Sequence, residues 1–339
     1  MSKNWYQNFL KSLVQESQDY ERGGTQKDEY SPEEVVTVPC PLCRSEERRI
    51  IYTEHGVVGI TRCLSCSLIY TSPRVRSPEK DFWGNIDKYY AEARLIFEGK
   101  AHHCREPNFI EELELIGSHK PRGRLLDIGC NMGMFLYLAR KRGWEVVGME
   151  PSPSLSQLAT ERFGLKVYNC FIDGVPRSEY GFFDVITISD VLEHDCDPLP
   201  FLKKVNQLLA DDGIIYIKVP NAKWNLFKQK VLGFMGRRPK QGIWASCDHV
   251  VHYTHATLDR ILEKSGFHII KVTIAKPMQP PVWHEYVGHY YQYPSPWFLD
   301  WKRHIGRLAF YWLSWLEYLL RLGSIGDLAP NIVVLSEKK

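Results

Sequence analysis

Four cysteines stand in two pairs whose spacing suits metal binding. Cys40 and Cys43 form one C-x2-C pair, Cys63 and Cys66 form the second, and nineteen residues separate the pairs. Two thiolates spaced by two residues bind one cation from a tight turn, and two such turns complete the tetrahedral site that Zn2+ prefers. The β-prone segment between them turns near Gly56, as the hairpin of a zinc ribbon would. We predict a structural metal, because four thiolates leave no open position; four unrelated buried thiols are the alternative.

A second candidate site lies where two apolar runs each end near an acid. The stretch LLDIGCNMG covers residues 125–133, and the next apolar run, WEVVGME, ends at Glu150. A dinucleotide needs the pattern G-x-G-x-x-G so that its pyrophosphate can touch the backbone, but Asn131 replaces the middle glycine and the last glycine is absent. S-adenosylmethionine has no phosphate, and a carboxylate at the second strand end can accept hydrogen bonds from both ribose hydroxyls. The loop and Glu150 together favour S-adenosylmethionine.

A histidine-rich segment supplies groups for proton removal. The run CDHVVHYTH, residues 247–255, contains Asp248, His249, His252 and His255. Histidine is the side chain best matched to proton removal near neutral pH, and a neighbouring carboxylate can orient it. We predict His249 first and His252 second as base or substrate-positioning group, with Asp248 as the orienting acid. A metal site built from the three histidines is one alternative, and histidines that only pack are the other.

The elements that must position these residues alternate between strand and helix. Residues 125–128 predict a buried strand, the glycine loop leads to a helix that starts near Met134, and 144–150 predict the second strand. This β-loop-α-β unit begins a Rossmann-like sheet, in which ligands bind at the carboxyl ends of the strands. A further strand is predicted to begin at Phe183, and the next one is predicted to end at Asn221. A helix that begins at TLDRIL is followed by another strand, and the last strand begins at Asn331.

The order of these motifs resembles that of class I S-adenosylmethionine-dependent methyltransferases. The resemblance is carried by LLDIGCNMGMFL, GMEPS, FDVITISDVLEH, DDGIIYIKVPN and TLDRILEKSGF. More narrowly, the chain resembles bacterial members that carry an N-terminal zinc ribbon and often act on glycans, lipids or natural products. The resemblance covers Cys40 to about Ile274 and resumes at Asn331. It implies an α/β fold: a Rossmann-like methyltransferase sheet with helices on both faces, a small N-terminal zinc ribbon and a helical C-terminal insertion.

The resemblance also implies a set of cofactor-binding residues in the glycine loop. Asp127, Gly129 and Gly133 line the methionine part of the cofactor, and Cys130 and Asn131 belong to the same loop. The family usually has glycine at position 131. Asparagine tolerates left-handed backbone angles better than most residues, so the loop conformation remains accessible.

The remaining residues that the resemblance assigns to the cofactor site are Glu150, Pro151, Cys170, Phe171, Asp190 and Leu192. The first two follow the second strand, where they hold the ribose and flank the adenine. The next two follow the third strand and contact the adenine ring. The last two follow the fourth strand and approach the transferred methyl group. His194, two residues further on, is either a structural histidine or a catalytic one.

The domains predicted from these features are an N-terminal helical extension (1–36), the zinc ribbon (37–74), a helical linker (75–122) and the methyltransferase domain (123–339). Two segments, 222–247 and 276–328, are predicted to be insertions in that last domain. The first mixes aromatic residues with cations. The second contains a predicted tryptophan-rich helix after Ser295 with a polar stripe, and such a helix either packs or dimerises or lies in a membrane interface.

Composition limits the partners. The chain has 339 residues, 44% apolar and 24% charged residues and a formal net charge of +3, which describes an ordinary globular protein. The charge is too small to argue for nucleic acid, so we expect no DNA partner. No signal peptide is visible, and nine cysteines in that context indicate a reducing cytosol. The expected location is cytoplasmic, with peripheral membrane contact left open.

The sequence therefore predicts a methyltransferase that uses S-adenosylmethionine to methylate a hydroxyl of a saccharide, lipid-linked or natural-product acceptor. An RNA or protein methyltransferase that grips its substrate with the ribbon is an alternative, although no basic stripe supports RNA. A non-catalytic module that senses the cofactor or tethers partners is a third hypothesis, from a different functional class.

Overall fold

A computed structural model describes most of the chain from residue 29 onwards. The described residues are 29–76, 96, 102–103, 105–179, 181–234, 236, 243–275, 286–287, 312, 315–316, 319–320 and 329–339. The predicted N-terminal extension therefore lies mainly outside the described residues, as do most of the predicted linker and of the tryptophan-rich helix. None of the helices in the described ranges combines the length and hydropathy that a membrane span requires.

The strands and helices follow the alternation that the sequence predicts. The strands are β1 (Val35–Val36), β2 (Arg48–Glu54), β3 (Val58–Cys63), β4 (Ile69–Thr71), β5 (Arg74–Val75), β6 (His102–His103), β7 (Arg124–Ile128), β8 (Glu145–Met149), β9 (Lys166–Tyr168), β10 (Phe183–Ser189), β11 (Leu209–Pro220), β12 (Val251–His252), β13 (Phe267–Thr273), β14 (Tyr286–Val287) and β15 (Asn331–Lys338). The α-helices in the described ranges are α1 (Glu106–Gly117), α2 (Met134–Lys141), α3 (Pro153–Phe163), α4 (Pro198–Leu208), α5 (Ala222–Phe234) and α6 (His255–Lys264).

A seven-stranded sheet in the order β13-β15-β11-β10-β7-β8-β9 forms the centre of the fold. β9, β8, β7, β10 and β11 run parallel, whereas β15 runs antiparallel to both of its neighbours, β11 and β13. The strand order reverses between β7 and β10, and a ligand crevice is expected outside the carboxyl ends of the strands at such a switch point. This arrangement confirms the predicted Rossmann-like methyltransferase sheet.

The two faces of the sheet belong to two separate apolar cores. Leu125 and Val185 lie in the core that α1, α2 and α3 cover, whereas their chain neighbours Leu126 and Ile186 lie in the core that α4 and α6 cover. Successive side chains of a strand point to opposite faces, and a parallel sheet buried on both faces is apolar at every position. This explains the uninterrupted apolar runs in the sequence and confirms helices on both faces.

The cysteine-rich segment forms a small antiparallel sheet of its own. β2 and β3 pair around the turn that contains Gly56, as predicted, and β4 pairs with β3. The fourth strand of this sheet, β12, comes from the histidine-rich segment and pairs with β4. Leu68 and Tyr70 of the small sheet share the apolar core of α4 and α6. The cysteine-rich segment is therefore joined to the main domain by strand pairing and by a common core.

Candidate active site

The glycine loop connects β7 to α2 at the carboxyl edge of the sheet. Gly129, Asn131 and Gly133 have backbone φ angles of 73°, 51° and 84°, all in the left-handed region. A Cβ on Gly133 would come within 2.5 Å of Cδ1 of Leu165, and the left-handed backbone angle itself favours glycine at this position. Asn131 adopts the angle that the sequence argument requires, and its Oδ1 accepts a hydrogen bond from the backbone N–H of Met132 at 2.7 Å.

Glu150 follows β8 and faces this loop. Its Oε2 accepts a hydrogen bond from the backbone N–H of Asn131 at 2.9 Å, and its Oε1 accepts one from the N–H of Ser152 at 3.0 Å. Burial raises the pKa of Glu150, and these two N–H donors offset part of that effect. Each carboxylate oxygen has a second lone pair for a ligand, so Glu150 can both hold the loop and accept hydroxyl donors.

Asp127, near the end of β7, is a second buried acid in the same region. The hydroxyl of Thr187 donates a hydrogen bond to its Oδ1 at 2.7 Å. Burial nevertheless raises the pKa of Asp127 to about 7. Two buried acids with raised pKa values form a site that a cationic ligand would complement, because a nearby positive charge favours the ionised carboxylate. S-adenosylmethionine carries an ammonium and a sulfonium group, so the residues fit this cofactor.

The predicted adenine contacts lie beside Glu150. Pro151 follows it directly and the next residue, Ser152, caps α3, accepting from the N–H of Leu155. Cys170 and Phe171 follow β9, the neighbouring strand. Phe171 is exposed.

Asn169 is a residue that the sequence argument missed. Its Nδ2 donates to the backbone oxygens of Glu150 and Pro151 at 2.9 and 3.0 Å. It therefore ties the ends of β8 and β9 together beneath the predicted adenine position.

Cys130 and Leu192 have buried side chains. Cys130 lies in the core of α1–α3, and burial raises the pKa of its thiol well above the usual value. The side chain of Leu192 lies in the core of α4 and α6, where it has no exposed surface.

Asp190 follows β10 in a left-handed conformation, with φ of 55°. Its Oδ2 lies 2.9 Å from both Nη1 of Arg105 and Nζ of Lys218, and the same two cations lie 3.6 Å from Oε1 of Glu112. Burial alone would raise the pKa of Asp190, but Lys218 and Arg105 hold it well below its usual range. The group is therefore ionised and rigidly held, with 36% of its side chain exposed.

The partners of Asp190 were not predicted from the sequence. The sequence around Lys218 could have indicated its role, because Lys218 is a lone cation inside the apolar strand run IIYIKVP. A buried lysine requires an acid partner. The sequence around Arg105 and Glu112 could not have indicated theirs, because charged residues of these types are also common on exposed helix surfaces.

His194 lies close enough to Asp190 for the charge of that acid to act on it. Its Nδ1 lies 2.9 Å from the backbone oxygen of Asp248, which accepts a hydrogen bond when Nδ1 carries the proton. That tautomer leaves the lone pair on Nε2. Burial lowers the pKa of His194, which favours the neutral ring. A neutral imidazole with one nitrogen anchored and the other basic has the requirements of a proton acceptor.

Two further groups surround His194. The ring of His249 lies edge-on to that of His194, with ring centroids 4.8 Å apart. Glu193, His194 and His249 each offer a ligand atom within 4.8 Å of the others. Two histidines and a carboxylate at this spacing can share protons or hold a divalent cation. His249, the first candidate from the sequence, is thus brought together with His194.

His252 and Asp248 have other surroundings than the sequence argument assigned. His252 is buried in β12, its ring lies edge-on to Trp244, and its Nε2 is 3.2 Å from the hydroxyl of Thr71. Burial lowers the pKa of His252 to about 3. These contacts are typical of a packing residue.

Asp248 contributes its backbone oxygen to His194. Burial raises the pKa of its carboxyl to about 6, and the charged neighbour that lowers it is His55 of the small sheet. Among the described residues, His249, His252 and His255 do not form a common metal cluster.

The four cysteine sulfurs converge at the edge of the small sheet. Cys40 and Cys66 have their sulfurs 3.4 Å apart, those of Cys43 and Cys63 are 3.5 Å apart, and all four lie within 4.8 Å of one another. Tetrahedral zinc with Zn–S bonds of about 2.3 Å needs sulfurs about 3.8 Å apart. The donor set and its spacing fit one zinc ion with no open position.

Comparison with known proteins agrees with this geometry. A family model described as "Methyltransferase domain" matches residues 101–272, just over half of the 339 residues. The sheet order, the glycine loop and the carboxylate after the second strand of the domain define a class I, S-adenosylmethionine-dependent methyltransferase. The chain belongs to the methyltransferase-domain family.

Curated relatives match a smaller part of the chain. The ubiquinone biosynthesis O-methyltransferase of Bradyrhizobium diazoefficiens is 29% identical over 115 residues, which is 32% of this chain and 45% of that protein. The protein of the same description from Ruegeria pomeroyi is 29% identical over 124 residues, which is 35% of this chain and 50% of that one. The chain thus spans about half the length of the curated relatives it matches.

Among solved structures, a methyltransferase from Archaeoglobus fulgidus is 19% identical with a TM-score of 0.45, covering 72% of this chain and 99% of that one. The 1,6-didemethyltoxoflavin-N1-methyltransferase of Burkholderia thailandensis is 14% identical with a TM-score of 0.44, covering 86% and 99%.

Proposed function

We propose that this protein transfers the methyl group of S-adenosylmethionine to a hydroxyl group of a small, saccharide or lipid-linked acceptor. The observation that carries the proposal is the anchored tautomer of His194, whose Nδ1 lies 2.9 Å from the backbone oxygen of Asp248. An alcohol is a poor nucleophile until its proton is removed, so an O-methyltransferase benefits from a neutral base at the carboxyl edge of the sheet.

The cofactor supplies a methyl group on a positively charged sulfur, which is already reactive toward a nucleophile. The protein's part is to bind, to orient and to remove a proton. Asp127 and the glycine loop would bind the methionine part, and Glu150 would accept the ribose hydroxyls. Pro151, Cys170 and Phe171 would flank the adenine. Asp190, ionised by Arg105 and Lys218, would keep a fixed negative charge beside the reacting groups.

The base would be His194, with His249 as its neighbour and second candidate. Glu193 lies in the same cluster, but burial raises the pKa of its carboxyl well above the usual value, which favours its neutral form. The ionised Asp190 would stabilise the imidazolium that forms when His194 takes a proton. Asp248 would orient His194 through its backbone oxygen, and His252 would stabilise the contact between the two sheets. The proposed base is still a histidine, but the first candidate is now His194, after β10, instead of His249 in the histidine-rich segment.

The choice of a small-molecule acceptor draws support from the relatives, which are described as O-methyltransferases of ubiquinone biosynthesis. A formal net charge of +3 gives no general affinity for RNA. A protein acceptor or a non-catalytic, cofactor-sensing role are the remaining alternatives.

The domain organisation that we propose keeps the sequence-based boundaries: a zinc ribbon at 37–74 and a methyltransferase domain at 123–339, with added segments at 222–247 and 276–328. One bound Zn2+ would stabilise the ribbon without taking part in catalysis. The N-terminal extension (1–36) and the helical linker (75–122) belong to the same proposal.

Glu150→Ala is expected to weaken cofactor binding by about 1.5–3 kcal/mol, the range for hydrogen bonds to a charged group. The change removes the ribose acceptor, the hydrogen bond from Asn131 that holds the glycine loop, and the hydrogen bond from Ser152. Calorimetry with S-adenosylhomocysteine measures the effect. Glu145→Ala is the matched control, because Glu145 begins the same strand, β8, and is largely exposed. Unchanged affinity in Glu150→Ala, or tighter binding of NAD than of S-adenosylhomocysteine, would contradict the assignment.

The proposed activity is tested by incubating the protein with methyl-labelled S-adenosylmethionine and fractionated cell extract. We expect label in an alkali-stable ether of a small-molecule, glycan or lipid fraction, and a rate of labelling at least about 100-fold lower with His194→Asn. Label in RNA or protein would show that the acceptor is RNA or protein rather than a small molecule, glycan or lipid. Cofactor binding without labelling of any fraction would favour the non-catalytic alternative.

A further inference from the structure

Helix α5 begins directly after β11, at the rim of the candidate active site. The side chain of Asn221 accepts a hydrogen bond from the backbone N–H of Lys223 at 3.0 Å, which caps the first turn. Because β11 also carries Lys218, the partner of Asp190, the start of α5 is fixed relative to the site. Any surface that α5 offers is therefore held close to the opening through which an acceptor must enter.

One face of α5 packs on the small sheet. Leu226 and Leu232 lie against the apolar cluster around Trp244. Gln229 donates a hydrogen bond to the backbone oxygen of Ile51 and accepts one from the indole N–H of Trp244. These contacts account for the apolar residues on that face of the helix.

The opposite face is also apolar, but it is exposed. Phe234 has 94% of its surface exposed, Phe227 has 40%, and Val231 is likewise exposed. These residues stand at i, i+4 and i+7, so they form one stripe along the helix. The ring of Phe227 stacks on that of Trp224 in the same helix, with ring centroids 5.5 Å apart, but the stripe stays exposed. Contiguous exposed apolar surface commonly marks an interaction site.

Cations alternate with the phenylalanines on this face. Lys223, Phe227, Lys230 and Phe234 follow one another at intervals of three and four residues, which places them within about 60° of one another around the helix axis. The helix has thirteen residues and contains no aspartate or glutamate. Lys230 is exposed and Lys223 is half-buried, so the outward surface of α5 combines apolar side chains with positive charge.

We propose that the exposed face of α5 docks on a membrane surface that contains anionic lipids. Aromatic side chains insert among the acyl chains while neighbouring lysines bind lipid phosphates, and the two effects add. The charge argues against a second copy of this chain as the occupant. A symmetric contact through this face would bring lysines against lysines. Docking in this way would turn the rim of the site toward the bilayer, where a lipid-linked acceptor is found.

The test is co-sedimentation of the full chain with vesicles of phosphatidylglycerol and phosphatidylcholine, compared with phosphatidylcholine alone. We expect binding to the anionic vesicles only, and a loss of several-fold when the salt is raised from 0.1 to 0.5 M. Phe227→Ser with Phe234→Ser should lower the partition coefficient at least about tenfold, since each buried aromatic contributes strongly. Lys223→Gln with Lys230→Gln should lower it on the order of 20-fold at 0.1 M salt.

Phe182→Ser is the matched control, because Phe182 is 59% exposed and lies outside α5. It should bind vesicles like the parent protein. Thermal melts of all variants establish that they are folded. The methyl-transfer assay with soluble extract separates this proposal from the proposed function, because the α5 variants should keep transfer to water-soluble acceptors.

Several results would overturn the proposal. One is a parent protein that does not bind anionic vesicles, and another is equal loss in the Phe182→Ser control. A third is loss of binding in Trp312→Ser with full binding in the α5 variants, which would assign membrane contact to the C-terminal region instead. Dimerisation that the phenylalanine changes abolish, or RNA binding that the lysine changes abolish, without any lipid binding, would give the face a different partner.

Discussion

His194→Asn is expected to lower kcat by about 10²–10⁴-fold, the usual contribution of a positioned general base. Asparagine was chosen because its side-chain amide can replace Nδ1 as a donor to the backbone oxygen of Asp248. The contact between β10 and the histidine-rich segment is then kept, whereas the basic Nε2 is removed. Cofactor affinity should stay within about twofold, because Glu150 and the glycine loop are held by hydrogen bonds of their own.

Steady-state kinetics with any acceptor found by labelling measures this effect, together with S-adenosylhomocysteine binding and a thermal melt. His268→Asn is the control histidine, since His268 pairs with Glu337 at the far end of the sheet. A purely structural His194 would show parallel losses of melting temperature, binding and turnover. Turnover of His194→Asn close to that of the parent protein would remove His194 as the base and return His249 to first place.

The Glu193–His194–His249 cluster allows one further distinction by the same measurements. If these groups hold a divalent cation rather than share protons, a chelator should remove the activity of the parent protein, and Mg2+ or Mn2+ should restore it. Activity that survives the chelator, combined with the loss in His194→Asn, leaves proton removal as the role of His194.

The part of the fold that the sequence predicted is the part with local signals. Apolar runs, the left-handed glycine loop and Glu150 are contiguous in the chain, and Asn131 could be placed because its backbone angle follows from residue type. The parallel sheet was predicted from the alternation of strands and helices along the chain. The cysteine pairs were equally local, since two short spacings predict that the four sulfurs lie together, as the structure shows.

What could not be predicted depends on contacts between distant segments. Asp190 follows β10, whereas the cations that keep it ionised come from other segments: Arg105 precedes α1, and Lys218 lies in β11. The role of His194 depends on a backbone oxygen, and a backbone group leaves no trace in residue type. The histidine-rich segment looked catalytic because its side chains are suitable. The pairing of β12 with β4, which no periodicity reveals, leaves the side chain of His252 buried.

Loss of zinc is the other large effect that we expect. Structural zinc contributes roughly 10–16 kcal/mol in zinc-finger peptides, which equals or exceeds the whole stability of a typical domain. Cys63→Ser removes one of four ligands that lie within 4.8 Å of one another. We therefore expect the parent protein to contain about one equivalent of zinc by elemental analysis. Cys63→Ser should lose most of that metal and much of its solubility.

The control is Cys247→Ser, because Cys247 is also buried but lies outside the four-sulfur cluster. It should keep its zinc and lose only about 1–3 kcal/mol of stability, the cost of a buried polar group without a partner. Less than about half an equivalent of zinc in carefully purified parent protein, or full metal content in Cys63→Ser, would contradict a four-cysteine zinc site.

The soluble fraction of Cys63→Ser should separate cofactor binding from turnover. β4 of the small sheet pairs with β12, and the backbone N–H groups of Val250 and Val251 both donate to the backbone oxygen of Glu193, next to His194. An unfolded ribbon would release this chain of contacts and misplace the base. The glycine loop and Glu150 are held by β7, β8 and β9, which do not pair with the small sheet. S-adenosylhomocysteine should therefore still bind to the variant with nearly the parent affinity, while methyl transfer is lost.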